Sequence, residues 1–184
     1  MKRKLVIAGA VIACAAACQM IHADTAQAAK KYTISKSTKP CNSAYIKEKG
    51  YNSKSKNYYT IKSYLEKLKK QGGGTLVLKK GTYKICSTLT VPSKVTIQLK
   101  NGVVLKKTDK TGSKSLKAGK VMFKLTSAKA KDYKGTKKVV ITSNKKATID
   151  LGKVKNAVAI DMGHNYNVSI SNLKFRNRNA GTYI

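Results

Sequence analysis

The feature that most limits what this chain can fold into is a succession of very short apolar runs, three to five residues each, joined by connections of only two or three residues. Thr75-Leu76-Val77-Leu78 opens the series, Lys79-Lys80-Gly81 turns, and Thr82-Tyr83-Lys84-Ile85 resumes it. Leu89-Thr90-Val91, Lys94-Val95-Thr96-Ile97-Gln98-Leu99 and Val103-Val104-Leu105 follow, separated by Pro92-Ser93 and Asn101-Gly102. Alternation with period two between such breakers reads as strand and turn. Further runs fall at 121–125, 139–142, 147–151, 157–160 and 168–175. The stretch 106–138 is the one long irregular insertion, lysine-rich, with an expected strand only at its middle.

One helix precedes all the strands. Ile61, Tyr64, Leu65 and Leu68 sit at i, i+3, i+4 and i+7, which predicts an amphipathic helix over 57–71. Asn57 is the expected N-cap, and Gly72-Gly73-Gly74 ends the helix. Lys67, Lys69 and Lys70 suit the negative end of its dipole. Residues 29–56 show no sustained period and read as an extended leader.

Short strands at close spacing admit a β-sandwich or a solenoid. Lys94-Val95-Thr96-Ile97, Lys138-Val139-Val140-Ile141 and Asn167-Val168-Ser169-Ile170 repeat a polar–apolar–x–Ile pattern, as expected of one strand type recurring down a stack. A single helix ahead of the strands makes sense as a lid on the first coil of a solenoid. The expected fold is therefore all-β, a solenoid over 57–184 with an N-terminal capping α-helix and coils from 75 onward. The alternative is a sandwich on which the helix packs.

Ahead of this lies an export signal. Lys2-Arg3-Lys4, the apolar residues 5–17 and the small-x-small Ala26-Gln27-Ala28 have the order of a secretory signal peptide spanning 1–28. Val11-Ile12-Ala13-Cys14 also reads as a lipoprotein box with lipid on Cys14. No other apolar stretch is long enough to cross a bilayer. The protein is expected to be secreted and extracellular or wall-associated.

The 184 residues carry a net charge of +32, and the chain without residues 1–28 keeps 36 basic and six acidic side chains, +30. That predicts salt-sensitive attraction to polyanions. Nearly all the cations are Lys, a flexible point charge, with Arg only at 3, 176 and 178. Acidic polysaccharide or another wall polyanion such as teichoic acid is the expected partner. Aromatic interleaving for base stacking is thin, so no specific nucleic acid is expected, and the chain is expected to be a monomer. Beyond residue 28 only Cys41 and Cys86 remain. Outside the cell they could pair, closing a loop worth roughly 4 kcal/mol in the chain-entropy model, or stay as thiols. Their spacing offers no metal site.

The series Tyr58-Tyr59, Leu65, Leu68, Gly72-Gly73-Gly74-Thr75-Leu76-Val77-Leu78, Gly81-Thr82-Tyr83, Leu89, Val91-Pro92-Ser93 and Val95-Thr96-Ile97 resembles the N-terminal end of secreted pectin-lyase-like right-handed parallel β-helix proteins. His164-Asn165-x-Asn167-Val168-Ser169-Ile170-x-Asn172-Leu173-x-Phe175-x-Asn177 is similar to a later coil of that superfamily. The likeness covers about 57–184. It implies a polysaccharide lyase or glycoside hydrolase, with Ca²⁺ in a full-length lyase, although the superfamily also holds catalytically silent members. No cofactor is evident in this segment. Where relatives carry Gly-His-aromatic-Ile-acid, this chain has Gly181-Thr182-Tyr183-Ile184, so the family's catalytic residues are not carried over. The resemblance implies further coils, and the chain reads as the N-terminal portion of a longer protein, inactive by itself.

Hydrolysis of glycosides needs two carboxylates ~5–9.5 Å apart. Lyases of this kind need acids around Ca²⁺ and a base. Setting aside Glu48, Glu66, Asp109 and Asp132, which fall in the leader, helix and insertion, Asp150 and Asp161 are the acids available. Their expected role is local charge pairing. His164 could be oriented as a base by Asp161, or be a turn histidine. Arg176 and Arg178 alternate along one strand and could grip a carboxylate, or be two exposed strand-end cations.

Overall fold

The computed structural model describes residues 30–126 and 130–177. The secretory signal, the lipoprotein box at Cys14, Arg178 and the terminal Gly181-Thr182-Tyr183-Ile184 lie outside the described residues. The order is β1 (Lys31–Ile34), a 3₁₀ turn (Ser43–Tyr45), α1 (Lys56–Lys70), β2 (Gly74–Leu78), β3 (Gly81–Ile85), β4 (Leu89–Thr90), β5 (Val95–Leu99), β6 (Val103–Lys107), β7 (Val121–Lys124), β8 (Lys137–Asp150), β9 (Val158–Asp161) and β10 (Tyr166–Arg176).

Every strand pairing among the described residues is parallel. Strands β2 and β3 are two residues apart in sequence yet do not form a hairpin; β2 pairs with β5 and β3 with β6. The turn bends the chain onto a new face, and the pairing partner arrives later. Three columns result. The first is β1, β2, β5, the first half of β8 and the first half of β10. The second is β3, β6 and the second halves of β8 and β10. The third is β4, β7 and β9. This excludes the antiparallel sandwich. The molecule is mostly strands in parallel sheets with one helix.

The recurring polar–apolar–x–Ile segments are neighbours in the first column: Ile97 stacks on Ile141, and Ile141 on Ile170. The residue that opens each of these segments has positive φ: Lys94 at 61°, Lys138 at 56° and Asn167 at 55°, with Gly73 at 128° below them. A left-handed residue at each level turns the chain the same way into the same column.

Inward rows build the core. Leu76, Ile97 and Ile141 form one, Tyr83, Leu105 and Ile149 another, and Leu89, Phe123 and Ile160 a third, all buried. Helix α1 packs across β2, β3, β4 and β5 and buries Ile61, Leu65 and Leu68. Its end is a Schellman motif, with the Gly73 amide donating to Leu68 O at 2.9 Å and the Gly72 amide to Lys69 O at 3.2 Å. At Gly74 a Cβ would strike the Lys30 carbonyl and lie 2.8 Å from Leu68 Cδ2, so glycine is demanded by close approach of the chain.

Two local expectations change. The N-cap is Ser55, which makes no side-chain cap bond, because Asn57 lies inside the helix and ties two other segments together. Asn57 Nδ2 donates to Lys36 O at 3.1 Å, and its Oδ1 accepts from the Lys84 amide at 3.3 Å. The leader, read from the sequence as extended, holds a paired strand and contacts to the helix. β1 adds to β2, and Thr60 Oγ1 donates to Thr38 O while Ser63 Oγ accepts from the Cys41 amide, both at 3.0 Å. Four residues amid polar neighbours carried too short a pattern to show this strand.

Candidate polyanion-binding face

In a strand, side chains alternate between faces, so register alone says which outward groups become neighbours. In the second column Lys84 pairs with Lys106, Lys106 with Asp150, and Asp150 with Arg176. The next outward row is Thr82, Val104, Thr148 and Lys174. Lys84, Lys106, Lys174 and Arg176 are exposed. Lysines also collect at the turn feeding this column. The Gly81 amide donates to Gly102 O at 3.3 Å and the Gly102 amide to Lys146 O at 3.2 Å, placing Lys79-Lys80, Lys100 and Lys145-Lys146 at one corner. Lys137-Lys138 joins Lys94 at a different corner, where the Lys94 amide donates to Lys137 O at 2.9 Å.

Asp150 is the one acid in these rows among the described residues, and its hydrogen-bonding capacity is already used. Its side chain is 1% exposed and accepts three hydrogen bonds: Gly152 N at 2.9 Å, Asn177 Nδ2 at 2.6 Å and Arg176 Nη2 at 3.0 Å. Burial pushes the carboxyl up, but the Gly152 amide, Asn177 amide and Arg176 guanidinium outweigh it and hold the group below its ordinary value. A carboxylate so saturated is a poor proton acceptor and cannot serve as a neutral acid. The structure thus brings Asp150 and Arg176 together as an ion pair.

Asp161 ends β9 in the third column, between chain neighbours of another face, and pairs in register with Lys124. It shares no row with Asp150. His164 is exposed, with φ of 57°, and its Nδ1 contacts the Asp132 carbonyl at 2.9 Å. Its ring is placed by the insertion, not by Asp161. Asn165, beside it, is the structural residue: its Nδ2 reaches Leu125 O and Thr136 O, both at 2.9 Å, and its Oδ1 accepts from Gly163 N at 2.7 Å. Cys41 and Cys86 are both free thiols, Cys86 fully buried. No group of three or more His, Cys, Asp or Glu that could hold a metal ion occurs among the described residues. No helix among them is long and apolar enough to cross a membrane.

Lys107 is the residue that a count of surface lysines misplaces. The 106–107 pair splits, Lys106 outward and Lys107 inward above Ile85, and Lys107 is 1% exposed. Its Nζ donates to Ile85 O at 3.3 Å and Ser87 O at 3.5 Å. Burial lowers its pKa to about 8, opposed by the neighbouring Cys86, whose thiol burial pushes up. The signal was present in the parity of the run: 107 shares the inward register of Val103 and Leu105.

Comparison with family models, with curated proteins and with solved structures returns no match for this chain.

Proposed function

We propose that this is an exported protein whose columns wind as a right-handed parallel β-helix of the pectin-lyase-like kind, and that it binds acidic polysaccharide along the second column. Parallel strands joined by crossovers are right-handed in about 98% of cases, which supports the handedness. The observation that carries the binding reading is the juxtaposition of Lys84 and Lys106, directly opposite on adjacent strands. Like charges so placed destabilise a sheet, and a bound polyanion removes that cost. Lysine point charges at the ~4.8 Å strand spacing suit a chain bearing regularly repeated carboxylates. The saturation of Asp150, and the separation of Asp161 from the His164 ring contact, favour a face that binds without cleaving. The same chemistry would take teichoic acid at a cell surface, which is the second reading.

The test is retention on immobilised polygalacturonate as salt rises, for the wild type and two double variants. Lys84→Ser with Lys106→Ser should weaken binding and flatten its salt dependence, whereas Lys69→Ser with Lys70→Ser on α1 should do so far less. Equal losses from both pairs would refute this face. Preference for uronan over teichoic acid surviving at high salt supports the polysaccharide; release of reducing ends or unsaturated products would overturn the non-cleaving reading.

A further inference from the structure

The turn after β3 brings a thiol and an amine together out of reach of solvent. Cys86 is fully buried in the core, and Lys107, 1% exposed, reaches the same turn from β6. The Lys107 Nζ lies 3.3 Å from Ile85 O and 3.5 Å from Ser87 O, the carbonyls on either side of Cys86. An ammonium has three hydrogens to place, and these two carbonyls take two of them at long range. Cys86 is the titratable group that acts on the amine, and Lys107 the one that acts on the thiol. The insertion seals the site. It leaves β6 with the Thr108 amide on Ile85 O and returns with the Gly119 amide on Cys86 O, both at 3.2 Å. Between those points it clasps the leader, where Asn52 Nδ2 donates to Thr111 O at 3.0 Å and Ser113 Oγ to Lys49 O at 3.1 Å. A buried thiol alone is an inert packing residue, but packing gives no reason for a costly amine aimed at its turn.

We infer that Cys86 and Lys107 are a cross-linking site, joined by a sulfur–nitrogen bond when the protein meets a peroxide. In the first step the thiol sulfur attacks the O–O bond. The sulfur is oxidised to sulfenic acid, and the other peroxide oxygen leaves as water. In the second, the uncharged Lys107 amine attacks that sulfur. The S–N bond forms, the S–O bond breaks, and the hydroxyl leaves with an amine proton as a second water. One peroxide is consumed, and the chain loses two hydrogens. Burial keeps the thiol protonated and the first step slow, but it also keeps outside thiols from the sulfenic acid, so the amine captures it. With the amine's pKa lowered to about 8, its uncharged form is present at neutral pH. The bond ties β6 to the turn after β3 at the base of the insertion, removes a buried charge, and is opened again by a thiol reductant.

The test is peptide mapping of the full chain carrying Cys41→Ser, so that no disulfide between the two cysteines can mimic the mass change. Hydrogen peroxide is added until the exposed Met162 is converted to its sulfoxide, which shows that oxidant was sufficient. The peptides containing Cys86 and Lys107 should emerge as one species, two hydrogens lighter than their sum, and dithiothreitol should separate them. Thermal melts should show a higher Tm for the cross-linked form, lost on reduction. With Lys107→Met added, the cross-link should vanish and Cys86 should run on to sulfinic acid. An unmodified Cys86 at this dose would overturn the proposal. So would sulfinic acid at Cys86 in equal yield with and without Lys107, or a cross-link to any other nitrogen.

Discussion

Replacing Lys107 by methionine should stabilise the protein at neutral pH, and by an amount that shrinks as pH rises. The ammonium is 1% exposed, and its pKa of about 8 stands well below the ~10.4 of a free lysine. The folded state therefore holds this proton less tightly than the unfolded state does. Below pH 8 the folded protein carries the full penalty of a buried charge, about 3 kcal/mol from the displacement of the pKa. Between pH 8 and about 10.4 the unfolded state binds more protons, so stability rises with pH and the penalty fades. Methionine keeps most of the volume and removes the charge. What is lost is small: Ile85 O still accepts from the Thr108 amide at 3.2 Å, and the contact to Ser87 O is long at 3.5 Å. The net gain at pH 7 should be about 1–3 kcal/mol, a rise of roughly 2–10 °C in Tm. Tyrosines and Cys86, whose pKa values burial raises, pull wild-type stability down at high pH. They are common to both proteins, so the difference between wild type and Lys107→Met isolates the lysine. Urea or thermal melts of both at pH 6, 8 and 10 measure it. A variant less stable at pH 7, with a deficit that does not change with pH, would refute the reasoning and make the ammonium a net clamp on the Ile85–Ser87 turn.

Asp150→Asn should cost about 1–3 kcal/mol at pH 7, because it removes the anion that Arg176 and Asn177 address. The depressed carboxyl contributes stability above about pH 4 that disappears as pH falls through its folded pKa, so denaturation at pH 3 should separate the two proteins less than at pH 7. Gly74→Ala should destabilise by about 2 kcal/mol or more, read in melts or soluble yield, since φ is 133° and the methyl group meets the Lys30 carbonyl. Tyr83→Phe should cost about 1 kcal/mol in the same melts through loss of the hydroxyl's 2.7 Å bond to Lys79 O, and should leave binding to polygalacturonate unchanged.

Local pattern is what a linear chain displays, and the readable parts here are local. The stripe of Ile61, Leu65 and Leu68 specified α1, and the glycines after it specified its stop, because helix period and C-cap chemistry act within a few residues. Period-two runs located most of the strands, and the recurring Val-x-Ile segments correctly implied that they stack on one another. The four-residue β1 is hidden in the sequence because its neighbours are polar, and Asn57 has the local look of a cap because its partners, Lys36 and Lys84, are 21 and 27 residues away.

The chain by itself settled which segments are extended, where they turn, and that the whole is heavily cationic. Which strand lies beside which was decided only in three dimensions, since a two-residue turn such as Lys79-Lys80 permits either a hairpin or a bend onto another face, and only the parallel pairing of β2 with β5 and of β3 with β6 shows the bend. That choice sets the register, and the register sends Lys107 inward, sets Lys84 against Lys106, saturates Asp150 and leaves the half-buried row of β10 uncovered among the described residues. Charge can be counted along a sequence, but whether a charge is solvated, paired or opposed depends on neighbours that only the folded columns supply.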